Sequence, residues 1–344
     1  MNPIAGIFLI ALGSIGAASF YVPFKKVKSW AWESYWLSQG VAAWLIAPWL
    51  LAWLAIPDGN LLQLLAEAPL KAKLWAMFFG ALWGVGGLTF GLSIRYLGVA
   101  LGQSIALGFC AAFGTLIPPV VAGGGLFSTR AGILTIIGVG VCIAGIATIG
   151  FAGSLKNKGL SDEERLKAVK EFALKKGLII AIFAGIMSAC FSFGLEFGKP
   201  IGDLAIGDKF KTDPLFHDNP ILIFILLGGF ITNLAYCLYL NLKNGTIRDY
   251  VSGGSSLLLN NILFTFLAGF LWFMQFQFFG MGKSRLPEAM LPFAWSILMA
   301  LNIAFSNIWG LLLSEWKGVS RKTIVILLAG IIILILSTFI VKLG

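Results

Sequence analysis

Charge is what this chain has least of. Of its 344 residues only 12% are Asp, Glu, Lys or Arg, about half the share usual in a soluble domain. Histidine is nearly missing too, with His217 the single example. The sequence carries no phosphate-cradling glycine loop, no nucleotide-binding fingerprint, no metal-spaced Cys/His cluster and no catalytic triad pattern. Neither an ATP-driven pump nor an enzyme activity is therefore expected, and neither a metal nor an organic cofactor is called for. The four cysteines (Cys110, Cys142, Cys190 and Cys237) sit singly in apolar runs and read as small core fillers. A net charge of +10 does not point to nucleic acid, because the basic residues are scattered over short loops and form no stripe.

What is present is apolar. Hydrophobic residues make up 58% of the chain and the mean hydropathy is +0.91, the composition of an all-α polytopic membrane protein. Crossing about 30 Å of hydrocarbon takes roughly 20 apolar residues per helix. Ten such stretches are expected, near 3–23, 34–56, 73–95, 98–120, 130–152, 177–198, 219–241, 255–281, 287–313 and 321–342. The first begins at Pro3 without a basic leader region and is expected to be a retained helix. Two longer loops follow, a charged one at 153–176 and a polar one at 199–218 that holds His217.

Loops after odd-numbered helices hold 16 of the 25 basic residues, among them Lys25, Lys26, Lys28 and Arg95. Cytoplasmic loops carry the lysine and arginine excess, so these loops are expected inside and both termini outside, in the periplasm of a bacterial inner membrane. The run Phe20-Tyr21-Val22-Pro23-Phe24-Lys25-Lys26-Val27-Lys28-Ser29-Trp30-Ala31-Trp32-Glu33 marks one such boundary, with indole and phenol rings at headgroup depth and lysines facing the cytoplasm.

The two halves of the chain echo one another. Gly80-Ala81-Leu82-Trp83 matches Gly269-Phe270-Leu271-Trp272, and Ser19-Phe20, Phe24 and Lys26 line up with Ser192-Phe193, Phe197 and Lys199. The expected organisation is a first five-helix repeat over 1–152, a linker over 153–176, and a second repeat over 177–344. Five spans per repeat is an odd number, so the second repeat sits inverted, as in many secondary transporters with a substrate site near the midplane.

A carrier driven by a proton gradient needs a titratable group, and intramembrane charges are candidates by default. Glu33 and Glu196 are the first choices for the proton, followed by Glu288 and Glu315. Each also has a plain reading as an interfacial carboxylate paired with Lys or Arg, or as an anion favoured at a helix N-terminus. Lys25, Lys26 and Arg95 are orientation signals or gate residues. Polar side chains inside apolar helices form the second set: Gln39, Thr89, Gln103, Asn260, Asn261, Gln275, Gln277 and Asn302. Interhelical hydrogen bonding explains any one of them. Asn261, Trp272 and Gln275 share a helix face at 3.6 residues per turn, and amides beside an indole suit a neutral polyol. Asn260, Asn261, Trp272, Gln275, Trp83 and Gln103 are accordingly the candidate substrate residues.

The opening run, together with Leu82-Trp83-Gly84, Arg95-Tyr96-Leu97-Gly98, Lys199-Pro200, Asp213-Pro214-Leu215, Asn261, Trp272-x-x-Gln275-Phe276, Arg285-x-Pro287 and Glu315-Trp316, resembles the L-rhamnose–proton symporter family, a branch of the drug/metabolite transporter superfamily. The resemblance runs along almost the whole chain. It implies the drug/metabolite transporter fold of two inverted five-helix repeats, with proton-driven uptake of a 6-deoxyhexose, most closely L-rhamnose, by alternating access. Its partners would be that sugar, protons and the lipid bilayer. An exporter or exchanger of another small metabolite on the same scaffold is the alternative, and a sugar-sensing receptor without transport is a second.

Overall fold

The computed structural model describes residues 2–97, 99–121, 126–158, 173–313 and 316–340. Among them all regular structure is helical, and ten helices are long and apolar enough to cross a membrane. They are α1 (Pro3–Ser19), α2 (Trp32–Gly40, Val41–Ile46 and Ala47–Ala55 in sequence), α3 (Leu70–Leu97), α4 (Val99–Val121), α5 (Arg130–Lys158), α6 (Leu174–Ile206), α7 (Asn219–Asn244), α8 (Gly254–Lys283), α9 (Ala294–Leu312) and α10 (Arg321–Ile340).

The helix ends follow from local chemistry. After α1 the chain makes a short turn around Pro23, and Ser29 takes a left-handed conformation at φ 57°. Ala31 is then extended and Glu33 lies in the first turn of α2, where the exposed N–H groups favour an anion. Pro220 sits in the first turn of α7, and Gly245 ends that helix at φ 72° with its N–H on the Asn241 carbonyl, the left-handed stop that glycine makes without steric penalty.

Two boundaries differ from the sequence expectation. The loop expected at 199–218 is helical as far as Ile206, despite Pro200 inside α6. Burial decides this, since Ile201 and Ala205 are fully enclosed and the His217 ring lies against Gly202. The helices on either side of the charged loop expected at 153–176 also reach into it, α5 as far as Lys158 and α6 from Leu174. Residues 159–172 and Glu315 lie outside the described residues.

The chain forms two compact units. One comprises residues 1–7, 85–193 and 286–344 and is built on α4, α5, α9 and α10. Close backbone approach holds it together: a Cβ on Gly330 would lie 2.7 Å from Ile149, and one on Gly145 would lie 2.8 Å from Leu334. Thr115 and Ser296 share a buried hydrogen bond of 2.7 Å, and Trp295 donates its indole N–H to the Cys110 carbonyl.

The other unit comprises residues 8–84 and 194–285 and holds α1, α2, α7, α8, the first part of α3 and the last part of α6. Here α3 and α7 touch backbone to backbone at Gly80, Gly84, Gly228 and Gly229. With no hydrophobic drive between helices in lipid, such small-residue contacts supply the packing energy. Each unit draws on helices from both halves of the sequence.

Candidate functional site

Two side-chain clusters stand out in the second unit. The first is at the start of α2. Glu33 is 6% exposed, and its Oε1 accepts hydrogen bonds from Asn244 Nδ2 at 2.9 Å and Thr246 Oγ1 at 2.8 Å. Asn241 Nδ2 donates to both Thr246 Oγ1 and Ser34 Oγ. Ser34 Oγ in turn donates to Asp249 Oδ2 at 2.7 Å, and the same oxygen accepts the Ala31 N–H at 2.9 Å. Glu33 and Asp249 are thus linked through neutral amides and hydroxyls. Of the two plain readings of Glu33, the structure matches the helix N-terminus rather than a Lys or Arg partner, since among the described residues its hydrogen-bond partners carry no charge.

The second feature is aromatic. Trp44, Trp83 and Trp272 form a triangle with ring centroids 6.1, 5.7 and 5.6 Å apart. Phe276 closes it at 5.0 Å from Trp272 and 6.0 Å from Trp83. Trp32 stacks on Trp36 at 5.5 Å and Trp36 meets Trp44 at 6.1 Å, so rings run without a break from the residue before Glu33 to the triangle. Gln275, buried, donates its amide to the Trp272 carbonyl at 3.0 Å. Gln39 is fully enclosed, and neither its Nε2 nor its Oε1 has a partner among the described residues; the same is true of the buried Trp44 Nε1. A buried polar atom left unpaired costs about 1–3 kcal/mol, so these atoms call for an explanation.

The remaining expected residues are placed as follows. Asn260 and Asn261 lie eleven or more residues before Trp272 on α8, roughly 16 Å along the axis at 1.5 Å per residue. They hold the loop before α2: Asn260 Nδ2 donates to the Lys26 carbonyl, while Asn261 bonds both the N–H and the carbonyl of Lys28. The shared helix face does not bring them to the indoles. Lys25 and Lys26 are exposed, as are Glu196 and Glu288. Arg95 is on α3 and Gln103 on α4, but their side chains lie outside those described.

A charged cluster lies elsewhere in this unit. Asp218, 2% exposed, pairs with Lys283 Nζ at 2.6 Å and with His217 Nδ1 at 2.7 Å, and His217 Nε2 reaches Asp203 at 3.1 Å. Sequence reading singled out His217 only as the lone histidine of a loop. It also passed over Trp44, Asn241, Asn244, Thr246 and Asp249. Trp44 resembles any core aromatic, and the others lie some two hundred residues from Glu33 or Ser34, so only the spacing of α2 against α7 could have joined them.

The comparisons with known proteins agree with one another. The family model described as L-rhamnose-proton symport protein matches residues 2–344. An L-rhamnose-proton symporter of Yersinia pestis (strain Pestoides F) is 37% identical over 99% of this chain and 98% of that protein. One from Yersinia pseudotuberculosis serotype O:1b (strain IP 31758) is equally similar over the same shares. This chain, whose described residues include ten helices long and apolar enough to cross a membrane, belongs to the L-rhamnose-proton symport protein family.

Proposed function

We propose that this protein carries L-rhamnose and protons together across a bacterial inner membrane, inward, by alternating access. The observation that carries the reading is family membership over nearly the whole chain. A carboxylate in a neutral shell and a tryptophan triangle, both within one compact unit, support it. The echo between Gly80–Trp83 and Gly269–Trp272 supports two inverted five-helix repeats on the drug/metabolite transporter fold, and the lysine and arginine bias supports periplasmic termini.

Glu33 is the proposed proton carrier. Its neutral donors, Asn244 and Thr246, both bond Oε1, so both charge states are hydrogen-bonded: a proton on Oε2 leaves Oε1 a carbonyl oxygen that still accepts from both. Trp83, Trp272 and Gln275 are proposed to hold the sugar, the ring faces covering its C–H surface and its methyl group. The run of rings from Trp32 through Trp36 to Trp44 is the proposed mechanical link, since sugar that moves Trp44 shifts the ring of Trp32, the residue before Glu33. One proton moving down 100 mV supplies about 2.3 kcal/mol. That sustains roughly fortyfold accumulation, each tenfold needing about 1.4 kcal/mol.

The test is transport by the purified protein in proteoliposomes. L-Rhamnose added outside should alkalinise the external medium, and an imposed inward proton gradient should drive sugar uptake. Glu33→Gln should abolish gradient-driven uptake while keeping sugar-for-sugar exchange. Rhamnose flux without proton movement refutes symport, and full gradient-driven uptake in Glu33→Gln removes Glu33 from the coupling role.

A further inference from the structure

Gln39 and Trp44 lie five residues apart on α2, and between them the helix changes form. Val41–Ile46 is π-helical, with the Ala47 N–H on the Ala42 carbonyl five residues back. Pro48 supplies the cause. It has no N–H to give the Trp44 carbonyl and its ring crowds that oxygen, so an ordinary helical turn fails there and a wider turn takes its place. The widened turn lays the Trp44 ring against Gly40, where an added Cβ would lie 2.6 Å from the indole. Gly40 is the immediate neighbour of Gln39.

Three observations fall on this stretch of α2 and the rings packed on it. The Gln39 amide is sealed, with its donor and its acceptor both unpartnered; the Trp44 indole N–H is sealed and unpartnered; and Trp44 stands 5.7 Å from Trp272 and 6.1 Å from Trp83, whose rings are only partly buried. Natural cores pair nearly all their buried polar atoms. Single-turn π-helices recur at functional sites.

We propose that the Gln39 amide and the Trp44 indole N–H are the hydroxyl-reading contacts of the sugar site, the Trp83 and Trp272 rings forming its apolar wall. This deepens the symport reading and rests on it. A sugar hydroxyl both donates and accepts, which a primary amide matches with one atom of each kind. None of the four groups carries a charge, so the site selects a neutral polyol over a sugar phosphate or an amino sugar. A site built to hydrogen-bond a hydroxyl rejects analogues that lack it, because its own polar atoms are then left unpaired.

The experiment is L-rhamnose titration of the full-length protein in nanodiscs, read by tryptophan fluorescence and calorimetry and paired with thermal unfolding. Gln39→Leu should weaken binding at least tenfold, about 1.4 kcal/mol, while its Tm stays equal to or rises above wild type, because an unpaired amide has been removed. Trp44→Phe keeps a ring and loses the donor, and should weaken binding severalfold. Gln39→Leu with wild-type affinity overturns the proposal, as does a fall in Tm without a change in affinity. If Gln39→Leu fails to fold, wild-type affinity in Trp44→Phe overturns it instead. A wild-type protein that transports rhamnose while both variants bind it normally leaves the symport reading standing and removes only this site. A wild-type protein that binds no rhamnose sinks the parent reading and this one with it.

Discussion

Asn261 grips the Lys28 peptide from both sides, its Nδ2 donating to the Lys28 carbonyl at 2.7 Å and its Oδ1 accepting the Lys28 N–H at 3.0 Å. The two residues are 233 positions apart, and the pairing fixes the turn that delivers the chain into α2. Asn261→Asp keeps the acceptor, loses the donor and sets a negative charge against a carbonyl. It should lower stability by about 1–3 kcal/mol, read as a drop in Tm in detergent, while rhamnose affinity in the folded fraction stays within twofold of wild type. A tenfold loss of affinity without a stability change would assign Asn261 to the sugar instead.

Asp218 is buried between Lys283 and His217. Removing one member of a buried pair leaves a charge without compensation, which costs about 3–5 kcal/mol. Lys283→Met should therefore sharply reduce Tm and yield. Asp218→Asn combined with Lys283→Met removes both charges and should recover most of the loss. Equal instability of the single and double variants would show that packing, rather than charge pairing, holds this end of α7 and α8 together.

These cases show what the sequence could and could not disclose. Hydropathy places all ten helices, because span length is set by the bilayer and each span is read locally. The boundary at 199–218 escaped it because buried Ile201 and Ala205 outweigh the helix-breaking tendency of Pro200. Helical periodicity put Asn261, Trp272 and Gln275 on one face, yet a face is a direction and gives no depth; Asn261 is three turns away from the indoles. Glu33 was legible as a lone acid at a helix start, whereas its partners Asn244 and Thr246 arrive from α7 and the turn after it. Trp44 was illegible because an indole in an apolar helix has the same local signature whether it fills a core or lines a site.

The glycines of α3 give a paired test. Gly80 and Gly84 press on α7: a Cβ on either would stand 2.0 Å from the Ile225 carbonyl or the Thr232 hydroxyl. Gly87 and Gly91, on the same helix, have nothing within 4 Å. Gly80→Ala meets backbone that cannot yield, and should cut the yield of folded protein severalfold. Gly91→Ala should be neutral or slightly stabilising, since alanine is better than glycine in a helix interior by about 0.8–1.0 kcal/mol. Size-exclusion profiles and Tm of the two variants decide it, and equal behaviour would mean that α3 and α7 do not make this contact in the membrane.

Glu67, on the short helix Leu61–Glu67 outside the membrane spans, meets Lys209 across 142 positions, with Nζ 2.5 and 2.6 Å from its two oxygens, and accepts a further bond from Gln63 at 3.0 Å. The Lys209 hydrogen bonds, then that from Gln63, hold its carboxyl below the usual 4.5. A folded-state value below the unfolded one means that the pair's stabilisation is fully present above the ordinary carboxylate range. It is lost as pH falls below about 4.5 and on through the lowered value. Lys209→Met removes the larger cause and leaves Gln63, so wild type should lose more Tm than the variant between pH 6 and pH 3.5, other carboxylates titrating alike in both. Both side chains are exposed, so the difference should be small and should shrink in 0.5 M salt as screening sets in. A variant that loses as much Tm as wild type over that range would show that the Glu67–Lys209 contact contributes nothing to folding.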